Sequence, residues 1–360
     1  MKLLVYKSLC FLLMIIGFMN HKACSQVKST EPMAFTEKEL VSWDYSSKEV
    51  GEDYTLYIHF PPGYDTTKTN YPVLYMTDGD WNMTVAMNCF RMLRQDYTTR
   101  EPLIVGIGYG SRPNQRSRDL NPGTGGPKFL AFIQQEVMPF IQSKYRVTNE
   151  KGLYGYSMGG MFTTYVLFEH PDLFNEIYIG APANNGLDLM VEASKYFANH
   201  QDLKCKVFLG VGSFEHDTEK NIRLFKKYMD QKNCKSLVLS TAITPNAGHG
   251  ASLAAVMQNG MAFVYCEKHA PIVVSKANLQ KYTGQYGAPA KPLKVYANSD
   301  GLYFKEGEDD IPTHLVPFEK GGFFIAENER LNLYFKEEGG KKYLVVSSPG
   351  EKQTRLEKIK

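Results

Sequence analysis

None of the six cysteines in this chain stands in a C-x-x-C pair, which removes the commonest structural zinc arrangements. Long apolar runs are missing too: residues 9–19 form an apolar stretch of only eleven, against the roughly twenty that a membrane-spanning helix needs. Excess charge of either sign is absent. The first 25 residues hold three lysines and no acid, so the remainder carries 38 basic and 38 acidic residues. A balanced chain gives no electrostatic footing for nucleic acid or an anionic membrane surface. There is no internal repeat and no low-complexity tract. Tryptophan is scarce, at two, but 23 tyrosines and 21 phenylalanines supply ample core material and exclude wholesale disorder. At 360 residues the chain exceeds the ~250–300 at which a single core stops growing, so a larger domain with a smaller companion is expected.

Lys2 and Lys7 precede the short apolar run, and Ala23 and Ser25 are small residues at the −3 and −1 positions of a cut before Gln26. That pattern predicts a signal peptide over residues 1–25 and an exported, periplasmic or secreted product. The alternative is a lipoprotein anchored through Cys24, but His21 and Lys22 stand where a lipobox would have a leucine and a small residue. Four cysteines remain after such a cut: Cys89, Cys205, Cys234 and Cys266. Cys205 and Cys234 each precede an apolar run. If those runs are adjacent parallel strands, an oxidising compartment would allow a disulfide between them; otherwise they are two small buried residues.

Alternating and apolar segments predict strands at YTLYIHF (54–60), YPVLYM (71–76), 103–107, 152–154, 176–179 and 206–212, with an edge strand ahead of them. Helical spacing marks 127–145 and 158–169. Strands alternating with helices predict a mostly parallel sheet flanked by helices. The texture changes near residue 272. Six short strand candidates follow (293–296, 301–305, 315–318, 323–326, 331–335 and 343–346), divided by Ser299-Asp300-Gly301, Gly321-Gly322 and Gly339-Gly340. The expectation is an α/β domain over 26–271 and a small antiparallel all-β domain over 272–360.

The segment that carries chemistry is Gly155-Tyr156-Ser157-Met158-Gly159, followed by Gly160. It is a G-x-S-x-G nucleophile elbow, with a predicted strand before it and a helix after it. Ser157 is the candidate nucleophile, and the next backbone N–H, on Met158, faces a developing oxyanion at a helix N-terminus. A serine hydroxyl needs a base, and His249, in the Gly-flanked loop Ala247-Gly248-His249-Gly250, is the candidate. The third member should follow a strand between them. Glu215 is the first carboxylate after strand 206–212, and Asp217 is the alternative. Asp80, after Thr77-Asp78-Gly79, would give the second oxyanion N–H, with Gly79 letting it turn towards the site. Candidate substrate contacts are Trp81, Tyr156 and Arg118. Arg112, Arg116 and Arg118 crowd one loop, a candidate cationic surface for an anionic ester. Gly106-Ile107-Gly108-Tyr109-Gly110 lacks the helix that a dinucleotide fingerprint requires. No metal or organic cofactor is called for, and His216 beside Glu215 has no second ligand cluster.

Several segments occur in a shared order: PPGYD (61–65), YPVLYMTDG (71–79), Arg118-Asp119-Leu120 with Pro122, FLAFIQQEVMPFIQSKYRV (129–147), YGYSMGGMF (154–162), HPDLF (170–174) and GHG (248–250). Across roughly residues 36–268 the chain resembles the "putative esterase" branch of the α/β-hydrolases. That branch includes enterobactin-type siderophore esterases, feruloyl and acetyl-xylan esterases, S-formylglutathione hydrolases and mycolyltransferases. The resemblance implies an α/β-hydrolase fold, a Ser157-His249-Glu215 triad and oxyanion donors at Met158 and Asp80. One departure stands out: Gly180-Ala181-Pro182-Ala183-Asn184-Asn185 replaces the family's frequent Ser-Pro-Ser stretch. The C-terminal segment resembles the small lipocalin-like β domains appended to some bacterial hydrolases. The expected function is an exported serine esterase, with feruloyl or acetyl esters of polysaccharides as the leading substrates. A siderophore ester or acyl transfer by the same triad is the alternative. A non-enzymatic role would leave the β domain to bind a glycan or mediate assembly.

Overall fold

The computed structural model describes residues 39–183, 188–307 and 309–360. The expected export signal (1–25), Cys24 and Asn184-Asn185 lie outside them. The first sheet has eight strands: β1 (Leu40–Ser46), β2 (Asp53–His59), β3 (Tyr71–Met76), β4 (Leu103–Gly108), β5 (Val147–Tyr156), β6 (Glu176–Gly180), β7 (Lys206–Gly212) and β8 (Val238–Thr244). Their spatial order is β1-β2-β4-β3-β5-β6-β7-β8. β1 and β2 run antiparallel at one edge, and every pair from β4 to β8 is parallel. Helices α1 (Gly79–Asp96), α2 (Arg116–Asp119), α3 (Gly126–Phe132), α4 (Met138–Lys144), α5 (Met158–Glu169), α6 (Leu189–Asn199) and α7 (His216–Lys232) fill the connections, and α8 (His249–Tyr265) follows the last strand. Covered on both faces, β4 and β6 are buried along their whole length, as strands of a parallel sheet between helical layers are. This is the α/β-hydrolase arrangement.

Two local differences from the sequence reading have physical causes. The apolar stretch 127–145 is helical but contains a π turn at Ile133–Val137. There Glu136 accepts hydrogen bonds from the Ser47 hydroxyl and the Lys48 and Glu49 N–H groups, so the widened turn ties the helix to the β1–β2 connection. Cys205 and Cys234 do flank neighbouring parallel strands, since Lys206 pairs with Val238. They are nonetheless unbonded: the Cys205 thiol is buried against the Phe174 and Asn175 carbonyls, while the Cys234 thiol faces the Gln201 carbonyl.

The second sheet is antiparallel throughout. β9 (Gly284–Tyr286), β10 (Leu293–Ala297), β11 (Leu302–Lys305), β12 (Thr313–Glu319), β13 (Gly322–Ile325), β14 (Asn328–Glu338), β15 (Lys341–Ser347) and β16 (Thr354–Glu357) lie side by side in chain order. Gly339 and Gly340, at φ 60° and 75°, give the β14–β15 turn the left-handed pair that a tight hairpin demands. The sheet closes on itself through a Tyr286–Lys358 bridge and the Ile359 N–H to Gln285 carbonyl bond of 2.8 Å. Closure removes the exposed edges of an open sheet. Its interior holds a separate core that includes Leu302, Leu315, Phe323 and Leu344.

The closed sheet meets the other at the C-terminal end of α1. Arg330 donates to the Arg94 carbonyl in the last turn of α1 (3.2 Å), and the His269 ring stacks on Phe318 at 4.1 Å. Arg94 lies 14 residues beyond Asp80 in α1, about 21 Å at 1.5 Å per residue, so this contact is well removed from the first turn of the helix. Among the described residues no helix is long and apolar enough to cross a membrane.

Candidate active site

Ser157 sits between the end of β5 and the start of α5 with φ 60° and ψ −117°, a conformation that costs a non-glycine residue about 1–3 kcal/mol. The neighbouring glycines make the turn possible. A Cβ on Gly155 would fall 2.1 Å from the Gly159 carbonyl oxygen, and one on Gly159 would fall 2.4 Å from the Thr77 hydroxyl. The strand and helix therefore touch backbone to backbone. The Ser157 N–H donates to the Gly180 carbonyl at 2.8 Å, and its own carbonyl accepts from Ala183 N–H at 3.0 Å. These bonds fix the elbow to the end of β6, directly beside it.

His249 is the first residue of α8, and Glu215 immediately precedes α7. Their side chains meet: His249 Nδ1 lies 2.6 Å from Glu215 Oε2, and Glu215 Oε1 also accepts from the Gly212 N–H at 3.2 Å. Glu215, not Asp217, is thus the carboxylate on the imidazole. With Nδ1 occupied by the carboxylate, Nε2 is the nitrogen left to work with a serine hydroxyl. No hydrogen bond joins the Ser157 hydroxyl to His249 among the described residues; such contacts often tighten only when substrate arrives.

Tyr156 behaves differently from the substrate contact expected of it. It is buried, with its hydroxyl donating to the His249 carbonyl at 2.6 Å and lying 2.8 Å from the Ser252 hydroxyl. Burial pushes its phenol up to about 12. The ring packs beneath His249 at 5.2 Å, so one residue connects the nucleophile, its chain neighbour, to the base.

The N-termini of α1 and α5 converge on this elbow, because Gly159 abuts Thr77 and Asp78. Their first-turn N–H groups, Asp80 and Met158 among them, are the unpaired donors that every helix start offers. The left-handed residue of the β3–α1 turn is Asp78 (φ 55°) and not Gly79. Gly79 is required for another reason: its Cβ would lie 2.6 Å from the Gly106 backbone on β4. The Asp80 carboxylate accepts from the Tyr57 hydroxyl (2.9 Å) and from the Tyr109 and Gly110 N–H groups (both 2.8 Å). Trp81 is 44% exposed, and Arg116 lies 5.5 Å over its ring.

The three-arginine loop offers no free cation. Arg112 pairs with Asp44, Arg116 with Asp78, and Arg118 with both Glu52 and Asp119. Arg118, a candidate substrate contact by sequence, is instead a brace: Asp119 is fully buried and also accepts from the Tyr54 and Tyr109 hydroxyls. Phe214, directly before Glu215, is the one exposed phenylalanine among the described residues, at 61%, and its N–H donates to the Ala247 carbonyl at 3.0 Å. Among the described residues no group of three His, Cys, Asp or Glu side chains is placed to hold a metal ion.

Residues 47–243 match the family model described as "Putative esterase". The chain belongs to this esterase family. The matched stretch contains Ser157 and Glu215 and ends before His249. The chain is 26% identical over 163 residues to the ferri-bacillibactin esterase BesA of Bacillus subtilis, covering 38% of this chain and 56% of the relative. It is 25% identical over 196 residues to a siderophore enterobactin esterase of Emericella nidulans, covering 45% and 64% respectively. The matches span less than two thirds of either relative. Among solved structures, the BES protein of Bacillus cereus superposes with TM-score 0.57 at 21% identity, over 66% of this chain and 100% of that one. Siderophore hydrolase EstB of Aspergillus nidulans gives 0.55 at 20% identity, over 65% and 97%. Both likenesses concern the fold.

Proposed function

We propose that this esterase hydrolyses siderophore-type esters by a serine mechanism. Ser157 Oγ attacks the ester carbonyl while His249 Nε2 takes its proton, and Glu215 stabilises the imidazolium that forms. The tetrahedral oxyanion rests on the N–H groups of Met158 and Asp80, each such donor being worth about 2.7–4 kcal/mol in comparable sites. Collapse expels the alcohol, which leaves with the proton from His249. Water, deprotonated by His249, then attacks the Ser157 ester, releasing the acid and restoring the serine. The observation that carries this reading is the 2.6 Å Glu215–His249 bond beside a serine held at φ 60° on an elbow.

The leading expectation of a polysaccharide ester gives way to the siderophore alternative, because BesA and the Emericella enzyme are named for siderophore esters. The same reading takes residues 1–25 as an export signal, 26–271 as the catalytic unit and 272–360 as an accessory β domain. Its test is hydrolysis of a catecholate trilactone, methyl ferulate, acetylated xylan and p-nitrophenyl acetate by the purified protein and its Ser157→Ala variant. Preference for the trilactone, lost in the variant, is expected. Preference for ferulate or acetylated xylan would overturn the substrate assignment.

A further inference from the structure

We propose that Arg116 is a positioning residue for the oxyanion loop, acting through Asp78 and making no contact with substrate. The inference rests on the serine-esterase reading above. Arg116 holds Asp78 with a two-point fork, Nε to Oδ1 at 2.8 Å and Nη2 to Oδ2 at 3.0 Å. Asp78 is the left-handed residue from which α1 starts, two positions before Asp80. Its side chain is only 2% exposed. On its other side the same carboxylate lies against the first turn of α5, where a Cβ on Gly159 would approach Asp78 Oδ2 to 3.4 Å. The Asp78–Arg116 pair therefore stands between the two helix starts that carry the oxyanion donors.

An aspartate in this place needs its partner. Burial pushes the Asp78 carboxyl up while the Arg116 hydrogen bonds oppose that shift, as a desolvated carboxylate beside a guanidinium should behave. Without the fork, Asp78 takes up a proton or turns to solvent, and the long 3.5 Å contact from the Thr77 hydroxyl is what remains on that carboxylate. The Asp80 carboxylate anchors α1 to the far side of the loop, at Tyr57, Tyr109 and Gly110. The two acids together clamp the first turn of α1. Oxyanion donors act at ~2.7–3.1 Å from the developing charge, so a small displacement of the Asp80 N–H weakens transition-state binding and leaves ground-state binding intact.

Arg116 has little capacity left for an anionic substrate. Two of its nitrogens are committed to Asp78, and its face lies over Trp81 at 5.5 Å. Its loop neighbours Arg112 and Arg118 are likewise taken by Asp44, Glu52 and Asp119.

The experiment compares Arg116→Gln, Arg116→Lys, Asp78→Asn and the Arg116→Gln/Asp78→Asn double variant in the full chain, with Ser157→Ala alongside. Each is assayed on neutral p-nitrophenyl acetate and on an anionic catecholate trilactone, with the affinity of a boronic acid inhibitor and the melting temperature measured in parallel. Arg116→Gln is expected to lower kcat on both esters by about 10- to 100-fold, the scale of a sub-ångström to 1 Å misplacement. KM should hold, and boronate affinity should fall by a similar factor. Arg116→Lys, which keeps the charge and loses the fork, should lie between. The double variant should lose less than the product of the two single losses, because neutral amides on both sides leave no buried charge unpaired. A KM rise confined to the trilactone would make Arg116 a substrate contact and overturn the proposal. A lowered melting temperature with kcat per folded molecule unchanged would reduce it to a structural brace. Hydrolysis persisting in Ser157→Ala would instead overturn the serine mechanism on which it rests.

Discussion

Replacing Tyr156 with phenylalanine isolates one hydrogen bond beneath the base. The wild-type hydroxyl donates to the His249 carbonyl at 2.6 Å and is 2.8 Å from the Ser252 hydroxyl, which itself donates to the same carbonyl at 3.2 Å. Removing it leaves the carbonyl with the longer of its two side-chain partners, and Ser252 keeps a place to donate. The loss is therefore one net buried hydrogen bond, about 1 kcal/mol, without an orphaned group. The ring stays in its slot, so packing is preserved. For the larger domain that energy corresponds to a fall of about 2–4 °C in melting temperature. If all of it holds His249 in register, kcat falls about fivefold, since ~1.4 kcal/mol is a factor of ten. KM should not move, because the hydroxyl is turned to the His249 backbone and away from substrate. Steady-state kinetics on p-nitrophenyl acetate with a thermal melt reads both quantities. A raised KM with kcat intact would return Tyr156 to the substrate side. No change in either quantity would refute its link to the base.

Three further outcomes follow from the geometry. Glu215→Gln should lower kcat by about 10²–10⁴-fold, the range for loss of a triad carboxylate, whereas Asp217→Asn should leave it nearly unchanged; comparable losses would remove the distinction drawn from the Nδ1 contact. Glu176, 1% exposed, has its carboxyl pushed up to about 8 by burial and by neighbouring Glu150, against ~4.3 in an unfolded chain. The unfolded state thus releases this proton first, so the contribution of Glu176 to stability is fully present at low pH and falls as pH rises from about 4 towards 8. Glu176→Gln should consequently gain stability relative to wild type between those limits in denaturant melts at a series of pH values, and a pH-independent difference would contradict the assignment. Arg330→Ala removes the bond to the Arg94 carbonyl, so it should loosen the closed sheet from α1 in hydrogen exchange. Activity on a small ester should persist, the site being at the other end of that helix; loss of activity would show coupling between the two ends.

Each member of the proposed triad was picked out by local sequence after a strand: Ser157 through its glycines, Glu215 as the first acid past β7, His249 in its Gly-flanked loop. What escaped was pairing between distant positions. Asp78 and Arg116 are 38 residues apart, and Arg112 and Arg118 reach to Asp44 and Glu52 on the edge hairpin. A crowd of arginines in one loop therefore read as a cationic surface although three of its four carboxylates, Asp44, Glu52 and Asp78, come from elsewhere in the chain. Tyr156 was misjudged for a related reason. Its place in the elbow was plain, but the direction of its side chain is set by α8, almost a hundred positions later. Helix α1 was hidden by its start, since Asp78-Gly79 has the composition of a turn, even though Met83, Ala86, Met87, Phe90 and Leu93 recur with helical spacing and are buried. In the second sheet six strands stood out between their turns. β9 and β16 did not, because three- and four-residue segments acquire strand character only from partners across the closed sheet.

The most direct test of the account is to treat the purified protein with a fluorophosphonate, map the adduct by mass spectrometry and follow ester hydrolysis on the same sample. A single adduct on Ser157, with hydrolysis lost in step and neither labelling nor turnover in Ser157→Ala, is the predicted result. Hydrolysis by Ser157→Ala at the wild-type rate, or an inactivating adduct on another residue, would contradict the assignment of Ser157 as nucleophile and with it the mechanism.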